Sequence, residues 1–83
     1  MLVPLYGFLR GDTMGLLVLV HDHDTIETVA ATLQQAAAAR VAPRAGARVY
    51  VRGRALEPTD TVAQAGLTAL DRIDVIPVAG GSA

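Results

Sequence analysis

Two segments near the start of the chain, Leu2 to Leu9 and Gly15 to Val20, are apolar at consecutive rather than alternate positions. Each is too short for a membrane span, which needs about 20 residues, and has the length of a strand. Arg10-Gly11-Asp12-Thr13 lies between them with turn chemistry, so the pair is expected to form an antiparallel hairpin. Strand alternation then sets Leu2, Pro4, Tyr6 and Phe8 on one face and Val3, Leu5, Gly7 and Leu9 on the other. In the second strand Leu17 and Leu19 oppose Leu16, Val18 and Val20. One face supplies a core. The other is apolar as well, although a sheet wet on one side should carry polar residues there. A contiguous apolar surface of this kind marks an interface, unless loops or a short second helix cover it.

The remaining chain completes one domain. Asp24 is placed as an N-cap with Glu27 three positions on, and Ile26, Val29, Ala30, Leu33 and Ala37 follow at helical spacing. Thr32, Gln34 and Gln35 fall on the wet side, and Pro43 stops the helix. Arg48-Val49-Tyr50-Val51-Arg52 alternates as a strand, Gly53 marks a turn, and Ala55-Leu56 fits a very short strand. Thr61 to Ala65 reads as one helical turn closed by Gly66, and Arg72 to Val78 as the last strand. The order ββ, helix, β, short β, short helix, β at this length is that of an α+β ubiquitin-like β-grasp. A mixed four- to five-stranded sheet would pack on one helix. Asp24-Thr25-Ile26-Glu27-Thr28-Val29 and the Arg52-Gly53-Arg54 turn before Leu56 also resemble ubiquitin locally. Residues 1–79 are expected to be the single domain and 80–83 a flexible tail.

Composition removes most chemistry. With no cysteine, disulfides, zinc–thiolate sites and iron–sulfur clusters are excluded. The chain is 52% apolar and 18% charged, so it is not a disordered segment. A net charge of −1 makes no electrostatic case for nucleic acid or a membrane surface. Met1-Leu2-Val3-Pro4 lacks the basic start and long apolar stretch of a signal peptide, which points to the cytoplasm. His21 and His23 would project to one side of an extended segment, but two imidazoles need a third or fourth ligand to hold zinc, and none stands out. The sole serine is Ser82, and a lone threonine needs a positioned base. Asp71 and Asp74 suit turn stabilisation better than paired-carboxylate catalysis, which requires a pocket. Arg40, Arg44, Arg48, Arg52 and Arg54 form either a solvated face or a stripe for an acidic patch on a partner.

One family likeness accounts for these absences. Arg40-Val41-Ala42-Pro43-Arg44-Ala45-Gly46, following the helix, resembles the gamma subunit of bacterial toluene/aromatic monooxygenase hydroxylases (toluene-4-monooxygenase system protein B). Thr61, Ala65-Gly66-Leu67 and Asp71-Arg72-Ile73-Asp74-Val75 extend the likeness, while Pro4-Leu5-Tyr6-Gly7-Phe8 and Gly11-Asp12-Thr13 look like a subset of the family. The resemblance implies a small ubiquitin-like subunit with no catalytic, metal or cofactor-binding residues of its own. It would dock on an alpha subunit holding the diiron centre, with beta, in an (αβγ)2 assembly hydroxylating an aromatic or alkene hydrocarbon. Tyr6, Phe8, Arg40, Pro43, Arg44, Arg48 and Tyr50 are the expected partner-contacting positions.

The alternative is a ubiquitin-like modifier or sulfur carrier. Gly80-Gly81 stands where those proteins carry their reactive terminal glycines, but Ser82-Ala83 follow and would have to be removed first. Gly80-Gly81-Ser82 is also a common composition for a flexible end.

Overall fold

The computed structural model describes residues 1–43 and 46–77. The strands β1 (Leu2–Leu9), β2 (Gly15–His21), β3 (Arg48–Val51), β4 (Arg54–Ala55) and β5 (Arg72–Ile76) form one sheet, with the helix α1 (Ile26–Ala36) between β2 and β3. The spatial order is β2-β1-β5-β3-β4. β1 pairs antiparallel with β2 and parallel with β5, and β3 pairs antiparallel with both β5 and β4. This is the expected β-grasp, with all five strands present.

The core forms between the inner sheet face and α1. Val3, Leu5, Val18, Val20, Val49, Ile73 and Val75 pack with Ile26, Val29, Leu33 and Ala37, and Leu56, Val62 and Leu67 close the ends. Gly7 belongs to this face because a Cβ there would sit 2.8 Å from Leu33 Cδ2. The helix crosses the strand at the point where β1 has no side chain.

Pro4 occupies a central strand, where proline normally breaks a ladder. Tyr6 N–H donates to the Asp71 carbonyl and Arg10 N–H to that of Val75, so even-numbered residues of β1 turn their backbone groups toward β5. The missing N–H of Pro4 therefore faces away from β2, short of the first β5 pairing at Tyr6. Its carbonyl still accepts from Leu70 N–H at 2.6 Å.

Several local expectations need correction. Thr25 caps α1, its hydroxyl accepting from Thr28 N–H, while Asp24 accepts from His21 N–H at 2.9 Å. The first amides of the helix are met by the following loop: Ile26 N–H bonds the Asp60 carbonyl and Glu27 N–H that of Pro58. Gln34 is buried at 5% exposure, not solvated. The helix ends at Ala36 with Ala37 as its C-cap, well before Pro43, and tight turns carry the chain through Arg40 and Val41. Arg52 leaves the polar face of β3. At φ 51° and followed by Gly53 at φ 79°, it opens the two-residue turn to β4, which needs positive φ at both positions. Thr61 to Ala65 forms the expected single helical turn: Thr61 and Gln64 bond reciprocally, Ala65 N–H reaches the Thr61 carbonyl, and Gly66 at φ 75° closes it. Asp71 stabilises its turn by accepting from Thr68 N–H, as expected. Val78, Arg44 and the Gly80-Gly81 tail lie outside the described residues.

Candidate functional site

The outer face of the sheet is the surface that the fold leaves uncovered, and register fixes its layout. Leu19 lies opposite Pro4, Leu17 opposite Tyr6, and Gly15 opposite Phe8. On the other side of β1, Tyr6 meets Arg72 and Phe8 meets Asp74, which in turn meets Tyr50. One half of this face is leucine-rich: Leu2, Leu17 and Leu19 are 55%, 61% and 60% exposed, and Tyr6 is 47% exposed. Leu70 is also largely exposed, and its N–H meets β1 at the Pro4 carbonyl. Among the described residues, no loop or short helix covers these side chains.

The other half is aromatic and charged. A Cβ on Gly15 would lie 2.8 Å from the Phe8 ring and 3.0 Å from that of Tyr6, so the glycine gives both rings room to lie across β2. The two rings are 5.1 Å apart and tilted. Arg72 stacks its guanidinium 4.1 Å above Phe8 and bonds Asp74 at 3.1 Å, which holds the ring from the opposite side. Beyond them Phe8, Arg10, Tyr50, Arg72 and Asp74 line an open groove of about 490 Å³. That size would suit a small ligand. Its polar side chains are Arg10, Asp12, Tyr50, Arg72 and Asp74, and no serine, threonine or histidine lines it.

The seven expected contact positions divide accordingly. Tyr6, Phe8, Arg48 and Tyr50 share the outer face, Arg48 lying opposite Ile76 at its far end. Arg40 does not join them, because both Nε and Nη2 grip the Asp12 carboxylate at 2.9 Å. Pro43 is exposed on the loop beyond it, and Arg44 is outside the described residues. Arg40 is the main cause of the lowered pKa of Asp12, and Asp12 in turn raises that of Arg40. Leu2, Leu17 and Leu19 were legible from strand alternation as part of this face, though aromatics and arginines ranked above them as contacts. No sequence signal marks Leu70, which reaches the sheet through a left-handed turn at φ 65°.

Among the described residues, no group of three or more histidine or acidic side chains could hold a metal. His21 and His23 stack at 5.0 Å on the surface, with Asp22 near His23. Among the same residues, no helix is long and apolar enough to cross a membrane.

Comparison with solved structures agrees with the fold. A chain in the toluene 4-monooxygenase HD complex with the inhibitor 4-bromobenzoate superposes with a TM-score of 0.86 at 28% identity, covering 94% of this chain and 100% of that one. Ubiquitin of Caldiarchaeum subterraneum gives a TM-score of 0.75 at 22% identity over 99% of this chain and 100% of its own. A designed protein based on ubiquitin gives 0.79 at 23%, over 99% and 95%. The last two establish the ubiquitin-like fold alone. Among curated sequences, no protein matches the chain. The sequence model for toluene-4-monooxygenase system protein B matches residues 2–76, and the chain belongs to that family of monooxygenase subunits.

Proposed function

We infer that this chain is a non-catalytic gamma subunit of a multicomponent monooxygenase hydroxylase, and that it docks through the outer face of its sheet. The observation that carries this reading is the leucine-rich half of that face. Leu2, Leu17 and Leu19 each leave more than half of their surface in water. Covering such a side chain fully is worth about 1.5–3 kcal/mol, so the face gains from a partner what the fold does not supply. The superposable chain from the toluene 4-monooxygenase complex supports the same direction. In this proposal the partner is the alpha subunit, which carries the diiron centre, and alpha, beta and this chain assemble as (αβγ)2 in the cytoplasm. The substrate is an aromatic or alkene hydrocarbon. The chain itself contributes shape and stability to the hydroxylase.

The test is affinity purification of the tagged full-length chain from its native cells, with intact-mass measurement and identification of co-purifying proteins. Near-stoichiometric recovery of the large iron-containing subunit, with the chain's mass matching all 83 residues, is the expected result. Recovery of an adenylating enzyme, or of a chain ending at Gly81, would replace this reading with that of a modifier or sulfur carrier.

A further inference from the structure

β2 is an edge strand, and among the described residues no strand pairs with its outer side. Asp22 N–H bonds the Met1 carbonyl, so even-numbered residues of β2 turn their backbone groups toward β1 and odd-numbered ones turn theirs outward. His21 shows the outward direction, and its N–H is taken by the Asp24 carboxylate at 2.9 Å. The outward N–H and C=O groups of Leu17 and Leu19 have no partner among the described residues. Natural edges are blunted by lysine, proline, bulges or inward-pointing charge. From Gly15 to Val20 this strand has none of these, and its pairing with β1 is unbroken. The edge at the other side of the sheet, β4, is two residues long and carries Arg54.

We propose that the β2 edge accepts an extended, apolar segment of the hydroxylase partner, which adds a strand alongside Leu17 to Leu19. The proposal rests on the subunit reading above and names how the partner is held. Two outward donors and two outward acceptors at strand spacing are matched by another extended chain, and not by a helix, whose own backbone groups are already bonded. Alternate side chains of the added strand lie over the outer face, beside Leu17 and Leu19. The edge is therefore continuous with the apolar surface that runs through Tyr6 and Leu2. A second copy of this chain could pair edge to edge about Val18, but the two outer faces would then remain in water. A larger partner covers edge and face together.

Backbone amide exchange, read residue by residue on the isolated chain and on the assembled hydroxylase, tests this directly. The Leu17 and Leu19 amides should slow by about a hundredfold or more on assembly, the behaviour of amides drawn into a stable ladder. If the complex forms and these two amides exchange at the free-chain rate, strand addition is wrong and the subunit reading stands. If no hydroxylase subunit associates at all, both fall. Protection that grows with concentration in the isolated chain, with a dimeric mass, assigns the edge to a second copy and overturns the proposal. Leu19→Pro provides an independent check, because it deletes an outward N–H and leaves the β1 ladder intact. It should weaken assembly at least tenfold more than Leu19→Ala, with the folded spectrum retained. Equal effects of the two substitutions would assign the contact to the side chain alone.

Discussion

Arg40 and Asp12 are 28 residues apart in sequence and joined side-on, Nε to Oδ1 and Nη2 to Oδ2, each at 2.9 Å. The pair fastens the β1–β2 turn to the chain leaving α1. Asp12 is covered to 1% side-chain exposure, and Met14 N–H also approaches its carboxylate. An arginine in the motif most suggestive of a partner contact is thus engaged within its own chain.

The ion pair makes stability depend on acid in a defined direction. The hydrogen bond from Arg40 holds the Asp12 carboxyl below its ordinary value of 3.8. A depressed carboxylate contributes its stability above that value, and the contribution is lost as pH falls through the folded-state pKa. Arg40→Ala should therefore melt at a lower temperature than wild type at pH 7, with the gap narrowing below about pH 4. Asp22, lowered mainly by its bond from the N-terminal ammonium, titrates in the same direction in both proteins. The difference between their melting curves isolates Asp12.

Replacing Leu17 and Leu19 together by lysine should separate docking from folding. Both side chains lie on the outer face, so unfolding of the isolated double variant should stay within about 0.5 kcal/mol per site of wild type. Binding to the hydroxylase partner should weaken by about 2 kcal/mol or more, roughly thirtyfold, if either leucine is a central anchor. Denaturant titration and co-purification read the two quantities.

Gly7→Ala addresses the opposite face. The new methyl would meet Leu33 Cδ2 at 2.8 Å and Cδ1 at 2.9 Å, and Leu33 is wholly buried beneath β1. Overpacking of this kind costs about 1–3 kcal/mol. Denaturant unfolding should show that loss, with Gly7→Val costing more than Gly7→Ala.

Leu70 offers a test of what strain is retained for. Its φ of 65° is a conformation that glycine adopts freely and leucine does not. The side chain is 65% exposed and contributes little to the isolated fold. Leu70→Gly should raise stability by about 0.5 kcal/mol, after the greater entropy of glycine in the unfolded chain is subtracted. If Leu70 belongs to the docking face, the same substitution weakens assembly while it strengthens the monomer.

The fold was legible wherever a pattern was local. Leu2 to Leu9, Gly15 to Val20 and the stripe from Ile26 to Leu33 appear where alternation and helical spacing place them. The boundaries failed where distant backbone intervened. Asp24 has the chemistry of a cap, yet carbonyls from Pro58 and Asp60 meet the first helix amides, and Asp24 serves His21 instead. Ala37, Ala38 and Ala39 favour a longer helix, but Ala37 is buried and Arg40 is drawn to Asp12. The outer face was legible as a surplus of leucine, because strand period alone assigns Leu17 and Leu19 to it. Which of its residues pair across strands was not, since the Tyr6–Arg72 and Phe8–Asp74 neighbours depend on a parallel contact between the two ends of the chain.

That contact also sets the timetable of synthesis. β1 is made first and β5 last, and they are neighbours in the middle of the sheet. The hairpin of β1 and β2 can close, and α1 can cover its inner face, well before Ile76 is made, but the β1 amides of Tyr6 and Arg10 wait for the carbonyls of Asp71 and Val75. During that interval β1 presents an unpaired edge next to the apolar outer face, so the strand at the centre of the finished sheet is an open edge for most of synthesis.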